Sequence, residues 1–164
     1  FNEHCDRVKM ANIAQTINVL QALILTEDEK MLLTPTYHVY DMYKVHHDAT
    51  LIPLHFKSKQ IAANGKMIPQ VQATASKNNQ GKIHITLVNV DPENESTIAT
   101  EIRGGDYKKI IEATIITSEN LNDHNTFDDP KKIKIEEFDG AKIKDGKLYI
   151  ILPAKSVVLV GVGE

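Results

Sequence analysis

A chain of 164 residues with 41% hydrophobic residues is long enough to bury a core, as one domain or one and a half. Its formal charge of −3 and pI near 6.2 give no electrostatic reason to expect nucleic acid or an anionic membrane as a partner. No apolar run approaches the ~20 residues that span a bilayer, and the single cysteine, Cys5, excludes a disulfide framework and a thiolate metal cluster and reads as a small buried hydrophobe.

Phe1 is not an initiator, and no charged-then-apolar leader precedes it, so the chain reads as part of something longer with its true N-terminus out of view. After a polar stretch, Phe1 to Arg7, comes an apolar segment from Val8 to Leu20 that carries Asn12, Gln15 and Asn18 at intervals of three. Burying an amide without a partner costs roughly 2–7 kcal/mol, so these amides call for partners in protein or ligand. Met10, Ile13, Ala14, Ile17, Leu20 and Ile24 fit a helical stripe, whereas Val8, Met10 and Ile13 before a polar turn at Gln15-Thr16 fit a short buried strand, and periodicity leaves both open.

The "TEDEK" stretch that follows is a solvated turn. Thr34 as cap and Pro35 at the first helical position then open a helix expected to end near Asp48. Tyr37, Tyr40 and Tyr43, with Val39 and Met42, give this helix an apolar, aromatic face, either a sugar-stacking surface or, as the inward-facing spacing favours, core packing against a sheet. His38, His46, His47 and His55 cluster in the sequence, yet no pair has the i, i+4 spacing with a glutamate that a helical zinc site uses, so no metal is expected.

From Leu51 the period changes from helical to two. "TLIPLHF", "VQATAS", "KIHITLVNVD", "STIATEIR", "KKIIEATIITS", "KKIKIEEF", "GKLYIILP" and "SVVLVGVG" are strand candidates without a helical pattern between them, which predicts an antiparallel sandwich or barrel. Asn78-Asn79-Gln80-Gly81, Asp91-Pro92, Gly104-Gly105, Asp139-Gly140 and Asp145-Gly146 supply the turns. One connection is long: residues 119–130, "ENLNDHNTFDDP", polar apart from Leu121 and Phe127. Loops of that length are commonly functional or poorly ordered.

Three separated motifs, "HCDRVKMANIAQTINVLQALIL", "TPTYHVYDMYKVH" and "LNDHNTFDDP", resemble the C-terminal region of the α-L-arabinofuranosidases of glycoside hydrolase family 51. The resemblance implies a mainly β fold, an antiparallel β-sandwich of jelly-roll type preceded by the last strand–helix unit of a (β/α)8 barrel. Residues 1–50 would be the barrel piece, with its strand near residues 7–15, and 51–164 the sandwich. Gln15 would lie at the C-terminal end of that strand, where barrel active sites sit, and matches the family position whose amide contacts the arabinofuranose beside the scissile bond. Asn12 and Asn18 are expected to be structural.

The family's two catalytic glutamates match nothing in this sequence, so no catalytic residue and no cofactor is expected and the chain alone should be inactive. The resemblance further implies an arabinofuranosyl-containing oligosaccharide as the partner of the whole enzyme, a homo-oligomer with the family's tendency to hexamers, and a cytoplasmic location. It places "NTFDDP" across domains or subunits, against the alternative of a surface loop pinned by Phe127. The rival to an enzyme part is a non-catalytic β-sandwich module for oligomer assembly or carbohydrate binding. The absence of tryptophan and the scatter of Phe56, Tyr107, Phe127, Phe138 and Tyr149 speak against sugar binding by the sandwich itself.

Overall fold

A computed structural model describes residues 1–164. After a 3₁₀ turn at Asn2–His4, residues 8–16 belong to no helix or ladder, and the first regular elements are β1 (Ile24–Glu27) and β2 (Lys30–Leu33), an antiparallel hairpin. The helical stripe through Ile24 does not form. Its last residue, Ile24, opens a hairpin instead, because the acidic "TEDEK" turn, with Asp28 at φ 49°, reverses the chain and lets Leu25 pair with Leu32. The strand expected near residues 7–15 finds no ladder within the chain either. A parallel strand needs neighbours reached through long crossovers, and nothing local can supply them.

Helix α1 (Pro35–Tyr43) starts where the sequence says: Thr34 is extended, its hydroxyl accepts from the Tyr37 N–H at 3.5 Å, and Pro35 fills the first turn. It is shorter than expected, passing into a 3₁₀ turn at Lys44–His46, and Asp48 at φ 55° completes the stop.

The remaining strands build the sandwich: β3 (Thr50–Ile52), β4 (Gln60–Ala63), β5 (Lys66–Pro69), β6 (Val71–Lys77), β7 (Ile83–Asn89), β8 (Ser96–Glu101), β9 (Lys109–Ile116), β10 (Glu136–Glu137), β11 (Ala141–Lys144), β12 (Lys147–Leu152) and β13 (Ser156–Gly163). A six-stranded antiparallel sheet, order β10-β9-β13-β7-β6-β3, faces a three-stranded one, β11-β12-β8, and β4-β5 is a separate hairpin. In-register rows place Ala75, Ile85 and Val160 on one line and Ala73, Leu87 and Val158 on the next. These side chains meet Leu148, Ile150 and Leu152 of the smaller sheet in one core. Each such branched side chain fully removed from water is worth about 1.5–3 kcal/mol.

Two-residue hairpins at Asn64-Gly65 and Asp145-Gly146 have positive φ at both positions, which twists them to match the strands they join. Of the strand candidates, "KKIKIEEF" shrinks to β10 because Ile133 turns inward beneath α1 instead of joining a ladder. The strands β4, β5 and β11 are additional to those expected. One end of the sandwich is held by a buried amide: Asn89 Nδ2 donates to the carbonyls of Asn94 (2.9 Å), Leu152 (3.3 Å) and Pro153 (2.9 Å), so the end of β7 is tied to the end of β12.

The outer face of the large sheet is covered by α1. Met42, 2% exposed, packs with Ile116, Leu159 and Ile133, and Val39, Tyr43 and Val45 close around them. Of the expected face, Val39, Met42 and half-buried Tyr43 lie against the sandwich, while Tyr40 turns to solvent. No helix is long and apolar enough to cross a membrane.

Candidate functional site

Gln15 sits in the irregular segment and is exposed, and no intramolecular hydrogen bond engages its side chain, so both its donor and acceptor are free for a ligand. In the same stretch of sequence Met10 (77% exposed), Ile17 and Leu20 (80%) also face solvent. Apolar side chains so exposed in one segment want covering.

The backbone of this surface is better held than its exposure suggests. The Thr16 carbonyl accepts from the N–H groups of both Leu23 and Ile24, each at 3.0 Å, and Ile17 forms a parallel bridge with Ile24. Asn18, at φ 53°, donates from Nδ2 to Thr26 Oγ1 and accepts the Thr26 N–H, both at 2.7 Å, a structural role that matches its expected one. Ile24 pairs in turn with Leu33 of β2. Asn12 is exposed.

The long loop reaches the same hairpin at the end of β2. Asn125, 4% exposed, donates from Nδ2 to the Leu33 carbonyl (2.7 Å) and to the Ile133 carbonyl (2.8 Å), while its Oδ1 accepts the Ile133 N–H (2.7 Å). The loop is thus anchored by a buried amide as well as by half-buried Phe127, and Leu121 is left 75% exposed. Lys132 pairs with Asp123 at 2.8 Å, and with the Asn120 N–H this holds the Asp123 carboxyl below its usual range. Sequence reasoning missed Asn125, since one amide among the loop's polar residues carries no local signal of burial.

The histidines do not converge. His46 lies 2.7 Å from Ser76 Oγ and 2.8 Å from Thr86 Oγ1, so both ring nitrogens are engaged by hydroxyls of β6 and β7. Burial, with smaller repulsions from His84 and His47, lowers its pKa to about 4, so the ring is neutral at pH 7. One hydroxyl must then donate to it and the other accept from it. Burial pushes the hydroxyl of nearby Tyr43 up, and Thr86 opposes that shift. His84 packs beside Gly161, with Glu112 3.9 Å away, and its buried Nδ1 has no partner. His38 stacks edge-on against Tyr37. Cys5 is exposed, contrary to expectation, because the N-terminal turn has no core beneath it.

A cleft of about 400 Å³ opens between the edges of the two sheets. Ile52, Leu54, Phe56, Ile98, Ile102 and Ile150 make it apolar, and its polar side chains are confined to His55, Thr100, Glu101 and Arg103. Such a lining offers little to a sugar's hydroxyls, which leaves the Gln15 surface as the candidate site.

The fold defines the class: a two-sheet antiparallel β-sandwich domain with a helix docked on its outer face. The α-L-arabinofuranosidase C-terminal domain family matches residues 1–156, and the chain belongs to it. An intracellular exo-α-L-arabinofuranosidase of Bacteroides ovatus is 45% identical over 159 residues, 96% of this chain and 31% of the relative. The crystal structure of a family-51 arabinofuranosidase from Xanthomonas axonopodis pv. citri superposes with a TM-score of 0.95 at 37% identity, covering 99% of this chain and 33% of that one. The α-L-arabinofuranosidase of Thermotoga maritima, crystallised as an arabinose complex, shares the fold at a TM-score of 0.82 and 24% identity, over 97% of this chain and 35% of its own. The chain spans about a third of the length of these relatives.

Proposed function

We propose that this chain is the C-terminal part of an α-L-arabinofuranosidase, a retaining glycoside hydrolase that releases terminal non-reducing α-L-arabinofuranosyl residues from arabinan- or arabinoxylan-type glycans. Residues 1–50 complete a (β/α)8 catalytic barrel and residues 51–164 form the sandwich that closes it. The observation that carries this reading is that Met10, Ile17 and Leu20, 77%, 52% and 80% exposed, share one segment with the free Gln15 amide. Apolar side chains so exposed need a covering partner, and neighbouring barrel strands would supply both that cover and the missing ladder.

In the complete enzyme Gln15 bonds the arabinofuranose hydroxyls, orienting the sugar through one donor and one acceptor. The two glutamates that protonate the leaving oxygen and attack the anomeric carbon, about 5–5.5 Å apart in a retaining enzyme, are contributed by barrel strands outside this sequence. The name of the Bacteroides ovatus relative supports an intracellular location, and the family resemblance, with its tendency to hexamers, supports a homo-oligomer. The test is activity on a chromogenic α-L-arabinofuranoside. The complete enzyme is expected to turn over and the 164-residue chain to be inactive, and turnover that copurifies with this chain and no longer species overturns the assignment.

A further inference from the structure

Asn125 and Gln15 lie 110 positions apart in the sequence, and a relay of hydrogen bonds and short stretches of backbone through the β1–β2 hairpin joins them. It starts at Asn125 Nδ2, which donates at 2.7 Å to the carbonyl of Leu33. Leu33, the last residue of β2, stands opposite Ile24, the first of β1, as a pair that exchanges no backbone hydrogen bond, so the link across the hairpin runs through the next residue, Thr34. Ile24 and Leu23 then donate their N–H groups, each at 3.0 Å, to the carbonyl of Thr16, the residue bonded to Gln15. Thr34 makes the link across the hairpin: its N–H donates to Leu23 O at 3.0 Å and its hydroxyl to Ala22 O at 2.9 Å.

We propose that Asn125 is a positioning residue for the sugar site: from the sandwich loop it fixes the end of β2, and through Thr34, Leu23 and the Thr16 carbonyl it sets where the Gln15 amide stands. The inference rests on the substrate-binding reading of Gln15. Three features make the coupling physical. The Asn125 amide is saturated, with both N–H groups and the oxygen bonded, so it has one geometry and cannot slide. Its second tie, to both backbone groups of Ile133, fastens it to the cluster beneath α1, so the fixed point is the sandwich and not the loop alone. The segment it controls is otherwise weakly held, since residues 8–16 have no ladder of their own and Gln15 is exposed. Contiguous bonded elements of this kind carry coupling between sites, and binding geometry is sensitive to displacements of an ångström.

The experiment is a double-mutant cycle in the complete enzyme with Asn125→Ala and Gln15→Ala, reading kcat and KM on an arabinofuranoside together with Tm. Asn125→Ala is expected to lower kcat/KM about two- to tenfold, the usual range for coupled residues. In the Gln15→Ala background it should lower kcat/KM by less than about twofold, while the loss of Tm is the same in both backgrounds. An equal fold-loss of kcat/KM in both backgrounds overturns the positioning role and leaves the Gln15 reading standing. Wild-type kinetics for Gln15→Ala alone overturns that reading, and the inference with it. If Asn125→Ala does not fold, Asn125→Ser, which keeps one donor in the same pocket, is run through the same cycle and judged by the same outcomes.

Discussion

The imidazole of His46 lies 2.8 Å from Thr86 Oγ1, which joins the 3₁₀ turn after α1 to the strand at the centre of the large sheet. Since Ser76 occupies the other ring nitrogen at 2.7 Å, the site is built for a neutral ring: an imidazolium would have two donors, and only hydroxyl oxygens to receive them in a buried place.

Acid should therefore undock the helix. The pKa of His46 is about 4 in the folded chain against about 6.5 unfolded, so the unfolded state takes up the proton first. The stability this residue contributes is complete above about pH 6.5 and is lost as pH falls towards 4. His84 and His38, both also lowered by burial, act in the same direction, and Glu112 opposes the effect at His84. The comparison that isolates His46 is Tm against pH for the chain and for His46→Gln. The variant should start lower at pH 7.5 and lose less between pH 6.5 and 4, and parallel curves would show that His46 does not titrate on unfolding.

The exposed segment should also be the least protected part of the chain. Amides of residues 8–15 have no ladder partners, whereas those of Ile83–Asn89 lie in the middle of the six-stranded sheet. In a dilute monomer, hydrogen exchange at 8–15 is expected to be faster by orders of magnitude, since fraying segments open at close to zero cost and core strands only at close to the global free energy. Protection at 8–15 equal to that of β7 would mean that these residues have a partner within the chain and do not need a barrel.

The sandwich was readable because each core strand states its own burial: "KIHITLVNV" and "SVVLVGVG" are β-branched and bounded by turn residues, and they form β7 and β13 at the centre of the sheet. The helix start was equally local, a Thr34 cap followed by Pro35. The short hairpins β1–β2 and β4–β5 were not read as strands, although Asn64-Gly65 is a strong two-residue turn signal, because strands of four residues carry too few alternations to register. Asn125 and His46 were illegible for a different reason: what makes them matter is a carbonyl 92 positions away and hydroxyls 30 and 40 positions away. Gln15 stands apart again, since its residues alone leave it ambiguous and the family motif around it supplies the role proposed for it.

Charge at position 15 separates the roles most sharply. In the complete enzyme, Gln15→Glu keeps an acceptor and removes the donor, and losing one amide bond to a sugar hydroxyl, worth ~0.5–1.5 kcal/mol net, lowers kcat/KM about two- to tenfold. The new carboxylate also brings negative charge beside the two catalytic glutamates. Like charge disfavours ionisation, so the acid/base glutamate should hold its proton to higher pH and the pH–rate profile should move upward. Gln15→Ala should show a rate loss of similar size without that displacement, and because the side chain is exposed, neither change should cost more than a degree or two of Tm, about the ±0.5 kcal/mol typical of surface substitutions. Wild-type kinetics in both variants together with a loss of several degrees would make Gln15 a packing residue of the assembled barrel and remove it from the site.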